Sequence, residues 1–152
     1  MLGINAQWKW NAIRDKVVES ACDVACFQET KKEVLDSTFL RNVLPVSFNC
    51  FEFQPSIGAS GGILVAWKDS LFDGEVFDLH TFGVTIQFKS KLNNKIWFLT
   101  SIYAPCAPDR KEEFLNWWKS LTLPNDSDWI SLGDYNLIRD QQNRNKPGGS
   151  HQ

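Results

Sequence analysis

Apolar positions recur at two different periods along the chain. Between Gln7 and Ala21, the residues Trp10, Ile13, Val17 and Ala21 return every three or four positions, with Asn11, Arg14, Asp15 and Glu19 between them. That spacing gathers the apolar side chains on one stripe and predicts an amphipathic helix. A short, mostly apolar run follows, Asp23-Val24-Ala25-Cys26-Phe27, which ends on Gln28-Glu29-Thr30 and reads as a buried strand. A polar stretch, loop or helix, continues to about Asn42. From Cys50 to Phe88 strand signals dominate. Phe51 and Phe53 alternate with Glu52 and Gln54, and Gly58-Ala59-Ser60-Gly61-Gly62 reads as a turn. Ile63-Leu64-Val65-Ala66-Trp67 reads as a buried strand and Glu75 to Leu79 as a weaker one. Val84, Ile86 and Phe88 alternate with Thr85, Gln87 and Lys89, the period-two pattern of a half-exposed strand.

Asn93-Asn94 marks another turn, and Ile96 to Tyr103 begins as a continuous apolar run, the mark of a central strand. A second helix is predicted after Asp109, which can cap it with Glu112 three residues on. Its apolar stripe is Phe114, Trp117, Trp118 and Leu121, and Pro124 lies beyond its end. Trp129-Ile130-Ser131-Leu132 forms a last buried strand, ending at Gly133-Asp134-Tyr135-Asn136. The tail from Arg139 to Gln152 is polar and reads as loop. No internal repeat is present. Strands with apolar residues on both faces imply sheets covered by helices or by a second sheet.

The length of 152 residues fits one domain, 1–152. With 43% hydrophobic and 22% charged residues the chain can build a core, which excludes a disordered segment. Seven Trp and eleven Phe predict aromatic-rich layers. The net charge of -2 gives no nucleic-acid signal by itself. It does not exclude a nuclease, because a metal ion brings its own positive charge to an acidic cleft. Cys22, Cys26, Cys50 and Cys106 show no zinc spacing, so reduced, mostly buried thiols without a disulfide partner are expected. Met1 to Trp10 does not read as a signal peptide, and no apolar run is long enough to span a membrane. A reducing intracellular compartment is the default expectation.

Three predicted strands end on polar groups: Glu29, Tyr103, and Asp134 with Asn136. Strand ends are where a rigid scaffold presents side chains to a shared cleft. A hard divalent cation wants carboxylate oxygens and keeps several waters, which suits Glu29. Asp134 can orient or deprotonate an attacking water, and Asn136 and Tyr103 can hold phosphate oxygens by hydrogen bonds. On the residues alone a second reading stays open at each position. Glu29 can open a solvated loop, Asp134-Tyr135-Asn136 can be a turn, and Tyr103 can be an aromatic anchor.

Gln28-Glu29-Thr30, Ile102-Tyr103-Ala104-Pro105 and Gly133-Asp134-Tyr135-Asn136 resemble, in order, the "QET", "YAP" and "GDFN" signatures of the endonuclease/exonuclease/phosphatase superfamily. Ser60-Gly61-Gly62-Ile63 resembles its glycine turn into a core strand. The flanks are similar to the apurinic-type endonuclease domain of plant LINE-type non-LTR retrotransposons: Gly3-Ile4-Asn5 before Gln7-Trp8-Lys9-Trp10-Asn11, and Leu137-Ile138-Arg139 leading to Asn143 through Gly149. The resemblance implies an α/β sandwich of four layers, two mostly antiparallel sheets between helices. It also implies Mg2+ or Mn2+ and hydrolysis of a phosphodiester, here to nick DNA, with a nuclear location following only from that substrate. Glu29 matches the metal-ligand glutamate and Tyr103 the phosphate-contacting tyrosine. Asp134 matches the aspartate that positions water, Asn136 its companion, and Tyr135 replaces the usual Phe.

The family pattern also has an asparagine on a strand before the Gly3-Ile4-Asn5 turn, and a later aspartate and Asp-His pair, for which this chain shows no match. His151 stands in the polar tail and His80 among strand-like residues, so neither takes the family histidine's place. The expectation is a domain lacking its first strand and C-terminal part, with weak or no catalysis. The alternative is a non-catalytic remnant that binds nucleic acid, metal or a protein. Unpaired strand edges and uncovered apolar faces predict a metastable or partner-dependent chain. A sharp, reversible thermal unfolding transition in the monomer would contradict that.

Overall fold

The computed structural model describes residues 7–32, 35, 37–57 and 60–136. The elements run α1 (Gln7–Ser20), β1 (Val24–Gln28), α2 (Ser37–Val43), β2 (Cys50–Ile57), β3 (Ser60–Trp67), β4 (Phe72–His80), β5 (Gly83–Ser90), β6 (Ile96–Tyr103), a 3-10 turn (Pro108–Arg110), α3 (Lys111–Ser120) and β7 (Asp128–Asp134). They build two sheets. The first is antiparallel, in the order β1-β3-β2; the second is β4-β5-β6-β7, antiparallel except where β7 joins β6 in parallel.

Four layers follow from the alternation along the strands. On β3, Ile63, Val65 and Trp67 face the second sheet, where Val84, Ile86, Phe88 and Leu99 receive them. The alternate residues Leu64 and Ala66 face the other way and pack with Val17 of α1 and Phe39 and Val43 of α2. Both faces of β3 are therefore covered, which is why its run is continuously apolar. On the far side of the second sheet, Phe114 and Trp117 of α3 close over Phe82 and Ile102. The fold is the expected α/β sandwich, with mostly antiparallel sheets flanked by helices.

Several local expectations are corrected. Ala21 is not on the helical stripe: it is exposed at φ 53°, just past the end of α1. Of the turn expected over Gly58–Gly62, Ser60, Gly61 and Gly62 belong to β3, and Ser60 pairs with Ile57, while Gly58 and Ala59 lie outside the described residues. The strand at Val84 is not half-exposed. Thr85 is fully buried, because its hydroxyl pairs with that of Thr100 at 2.9 Å on the outer face, and the indole of Trp129 donates to Thr100, also at 2.9 Å. Asp109 does not cap α3 by its side chain. It sits inside the 3-10 turn, so the helix starts at Lys111 with Arg110 at the cap and no side-chain capping bond. The last strand is not buried: among the described residues β7 pairs only with β6, and Ile130 is 53% exposed. Cys106 is exposed and the other three thiols are partly buried, short of the mostly buried set expected. The expectations placed on Gly3-Ile4-Asn5, on Leu137 onward and on His151 fall outside the described residues. Among those described, no helix is long and apolar enough to cross a membrane.

Candidate functional site

The first sheet delivers Glu29. β1 ends at Gln28, and Glu29 turns out of the strand at φ 58°, a left-handed conformation unusual for a residue with a Cβ. The turn is held from β3. The Thr30 and Lys31 amides donate to the carbonyls of Gly62 (3.1 Å) and Gly61 (3.0 Å). Gly62 is itself left-handed, at φ 96°, and a Cβ there would lie 2.2 Å from Thr30 Oγ1. The glycine pair and the Gln28-Glu29-Thr30 segment are therefore one unit: only a bare backbone lets β3 approach so closely. One residue earlier, Gln28 Nε2 donates to Ser101 Oγ at 2.9 Å and ties this strand end to β6 of the other sheet.

The second sheet delivers Tyr103, Asp134 and Asn136. Tyr103 and Asp134 are register partners on the parallel strands β6 and β7. Gly133 makes that pairing possible: it sits at φ 130°, and a Cβ would fall 2.0 Å from the Ile102 carbonyl oxygen. Beyond the strands, the Ala104 amide donates to the Asp134 carbonyl at 2.8 Å, and Asn136 Nδ2 donates to the Ala104 carbonyl at 2.7 Å. Asp134 Oδ1 accepts the Asn136 amide at 3.0 Å. One amide hydrogen of Asn136 is thus committed to the scaffold, and the residue fastens the β7 exit to the Tyr103 exit. Of the expected set, Glu29, Tyr103 and Asp134 come together, with Asn136 beside them.

Electrostatics tie the two sheets at this point. The Tyr103 phenol is pushed up to about 12, first by burial, then by the negative charge of Glu29, with smaller contributions from Cys106, hydrogen bonding to Glu29, and Asp134. Near neutrality Tyr103 is therefore a hydrogen-bond donor and not a base. The Glu29 carboxylate has the Lys31 ammonium 3.3 Å away. His80 does not join the group. It accepts from the Phe82 amide at 3.2 Å and stacks on Trp117 at 5.0 Å, and burial lowers its pKa.

Whether a divalent ion fits is decided by the donors present. No group of three Asp, Glu, His or Cys side chains able to hold a metal exists among the described residues. Mg2+ does not require one, since it is held by one or two carboxylates together with water and substrate phosphate. Glu29, at a strand end and with its side chain 30% exposed, meets that smaller demand once Lys31 gives way.

A cleft of about 280 Å3 opens between Pro55, Ile57 and Gly62 of the first sheet and Tyr103 of the second, with Phe82 of the β4–β5 turn and Arg110 of the 3-10 turn beside it. Sequence reasoning missed the ties that shape the site: Gln28 to Ser101, Gly62 against Thr30, and Lys31 on Glu29. Gln28 and Thr30 stood inside the motif that pointed to Glu29. Lys31, the next residue, carried a readable signal as a cation beside a candidate metal ligand.

The arrangement has solved counterparts. The catalytic domain of Xenopus laevis APE2 aligns over 95% of this chain and 59% of its own length, with a TM-score of 0.61 at 20% identity. ANGEL2, a 2',3'-cyclic phosphatase in complex with adenosine-2',3'-vanadate, aligns over 87% of this chain and 45% of its own, with a TM-score of 0.59 at 16% identity. D. rerio TDP2 with a single-strand DNA product aligns over 84% and 55%, with a TM-score of 0.54 at 16% identity. These are proteins of the endonuclease/exonuclease/phosphatase fold, and this chain has that fold. It spans about half the length of the solved chains it matches. No protein-family model matches the chain, and no curated protein matches it.

The raised Tyr103 pKa yields a test that needs no activity. In a Tyr135→Phe background, absorbance titration is expected to find the remaining phenol ionising at about 12. Glu29→Gln is expected to bring it down towards the ordinary value of 10.0. Because the folded pKa lies above the unfolded one, this group's contribution to stability is full below pH 10.0 and is lost as pH rises to about 12. An ordinary Tyr103 titration, unchanged by Glu29→Gln in a folded chain, would refute the contact.

Proposed function

We propose that this chain carries part of the active site of a metal-assisted phosphodiester hydrolase, of the DNA-nicking kind found in LINE-type retrotransposons. The observation that carries this reading is the convergence of Glu29, Tyr103 and Asp134 at the ends of β1, β6 and β7, with Tyr103 sensing both carboxylates. The motif order described above and the fold both support it.

Each residue has a role in that chemistry. Tyr103, held neutral, donates a hydrogen bond to a phosphoryl oxygen as negative charge develops there. Asp134 is exposed at a strand end and keeps Oδ2 clear of its bond to the Asn136 amide, so it can orient a water for attack. Asn136 holds the Asp134 exit against Ala104 and has a second amide hydrogen for a phosphate oxygen. Glu29 is the carboxylate for Mg2+ or Mn2+. Such an ion neutralises phosphoryl charge and lowers the pKa of bound water. With Glu29 holding such an ion, the Lys31 ammonium, now 3.3 Å from the carboxylate, would be available to a phosphate oxygen.

A second reading is favoured by one observation. Glu29 is already ion-paired with Lys31, and no three-group metal cluster exists among the described residues. On that reading the chain binds DNA or metal without turnover.

Supercoiled plasmid with Mg2+ separates the two. Hydrolysis predicts nicking that EDTA abolishes and that Glu29→Ala or Asp134→Ala lowers by about 10²- to 10⁴-fold. A folded chain that binds the plasmid and leaves it intact supports the second reading and rejects the first.

A further inference from the structure

The cleft beside Tyr103 has a composition that catalysis at a phosphate does not use. One wall comes from the first sheet, with Pro55 and Ile57 of β2 and the backbone of Gly61 and Gly62. The other comes from the second sheet and the segment after it, with Tyr103, Pro105, Ala107 and Arg110. The walls are mostly apolar, with the rings of Phe82 and Tyr103 among them. At Gly61 an added Cβ would meet nothing within 4 Å, so the space over that backbone is open. The volume of about 280 Å3 is at the small end for ligand pockets, which favours a single ring system over a larger ligand.

Among the described residues Arg110 is the one charged side chain on these walls, and it is ion-paired. Its Nε and Nη2 donate to Glu113 Oε1 at 3.1 and 3.0 Å. Its guanidinium lies 4.9 Å from the Phe82 ring centroid. A guanidinium held by a half-exposed carboxylate keeps its charge and also offers a flat face on which a planar ring can stack. The net charge of -2 limits what the chain can gain from a phosphate backbone. Stacking does not depend on that charge and is tolerant of base identity.

We propose that this cleft is a nucleobase subsite. It takes the ring of the nucleotide whose phosphate lies at the Glu29–Tyr103 site, and so rests on the phosphodiester reading above. Tyr103 belongs to both places, which fixes the order: phosphate at its hydroxyl end, base against the prolines. The substrate is therefore a strand with at least one base free of its stack, single-stranded or locally opened DNA.

Cys106 lines the cleft and is exposed, so it reports occupancy without any turnover. The full chain is alkylated with N-ethylmaleimide, and modification of Cys106 is followed by peptide mass spectrometry. The probes are deoxyadenosine 5'-monophosphate and, lacking the base, deoxyribose 5-phosphate. The nucleotide at ten times its half-protecting concentration is expected to slow labelling about tenfold. The sugar phosphate is expected to leave it unchanged. Ala107→Trp and Ile57→Trp, filling the cleft from opposite walls, are each expected to remove the protection. Equal protection by the sugar phosphate would make this a phosphate site and overturn the proposal, as would no protection in a folded chain. Protection by the nucleotide in a chain that does not nick plasmid would sink the hydrolytic reading and leave the base subsite standing. Nicking without protection would do the reverse.

Discussion

The packing of the two sheets against each other is the constraint on which the rest depends. Ile63, Val65 and Trp67 on one side meet Val84, Ile86 and Phe88 on the other, all at most 4% exposed. Each such side chain contributes about 1.5–3 kcal/mol by leaving water. The packing does more than stabilise: it sets which strand ends meet. β1 and β6 belong to different sheets, and their C-terminal ends meet at Gln28 and Ser101. Glu29 and Tyr103 are the next side chains out. A slip of one residue in either sheet would turn these residues to the opposite face. The site is thus a property of the register between two cores, and no single loop could supply it.

Glycines convert that register into contact. Gly62 lets β3 press on Thr30, and Gly133 lets β7 press on Ile102. Each lies one strand away from the carboxylate it serves, Gly62 from Glu29, or immediately before it, Gly133 before Asp134. Glu29, Lys31 and Asn136 all carry positive φ without being glycine. Such conformations cost of order 1–3 kcal/mol each and persist where the surroundings over-determine them. Here they are over-determined by amide bonds to Gly61 and Gly62 and by the Asn136 bonds to Ala104 and Asp134.

Much of this was legible in the sequence, and the failures share a cause. The layers were readable because a strand covered on both faces must be continuously apolar, as Ile63 to Trp67 is. The three strand-end side chains were readable because apolar runs stop abruptly at them. Thr85 was misread because threonine counts as polar in a period-two pattern, whereas a partner such as Thr100 satisfies its hydroxyl and lets it be buried. Exposure of the last strand was misread for the converse reason. Trp129 and Ile130 are apolar, but burial depends on what lies beside β7, which composition does not carry. Asp109 met the spacing of a capping residue, and the intervening 3-10 turn displaced the helix cap by one residue, to Arg110. Side-chain ties across sheets, such as Gln28 to Ser101, are 73 residues apart and leave no local trace.

The central claim is that sheet packing places Glu29 against Tyr103. A double-mutant cycle on urea unfolding, with Glu29→Gln, Tyr103→Phe and the pair, tests it directly. Residues in contact share a coupling energy of about 0.5 kcal/mol or more. The double variant should therefore lose less stability than the two single losses combined. Losses that add within about 0.3 kcal/mol would mean that the two side chains do not meet, and the site as described here would not exist.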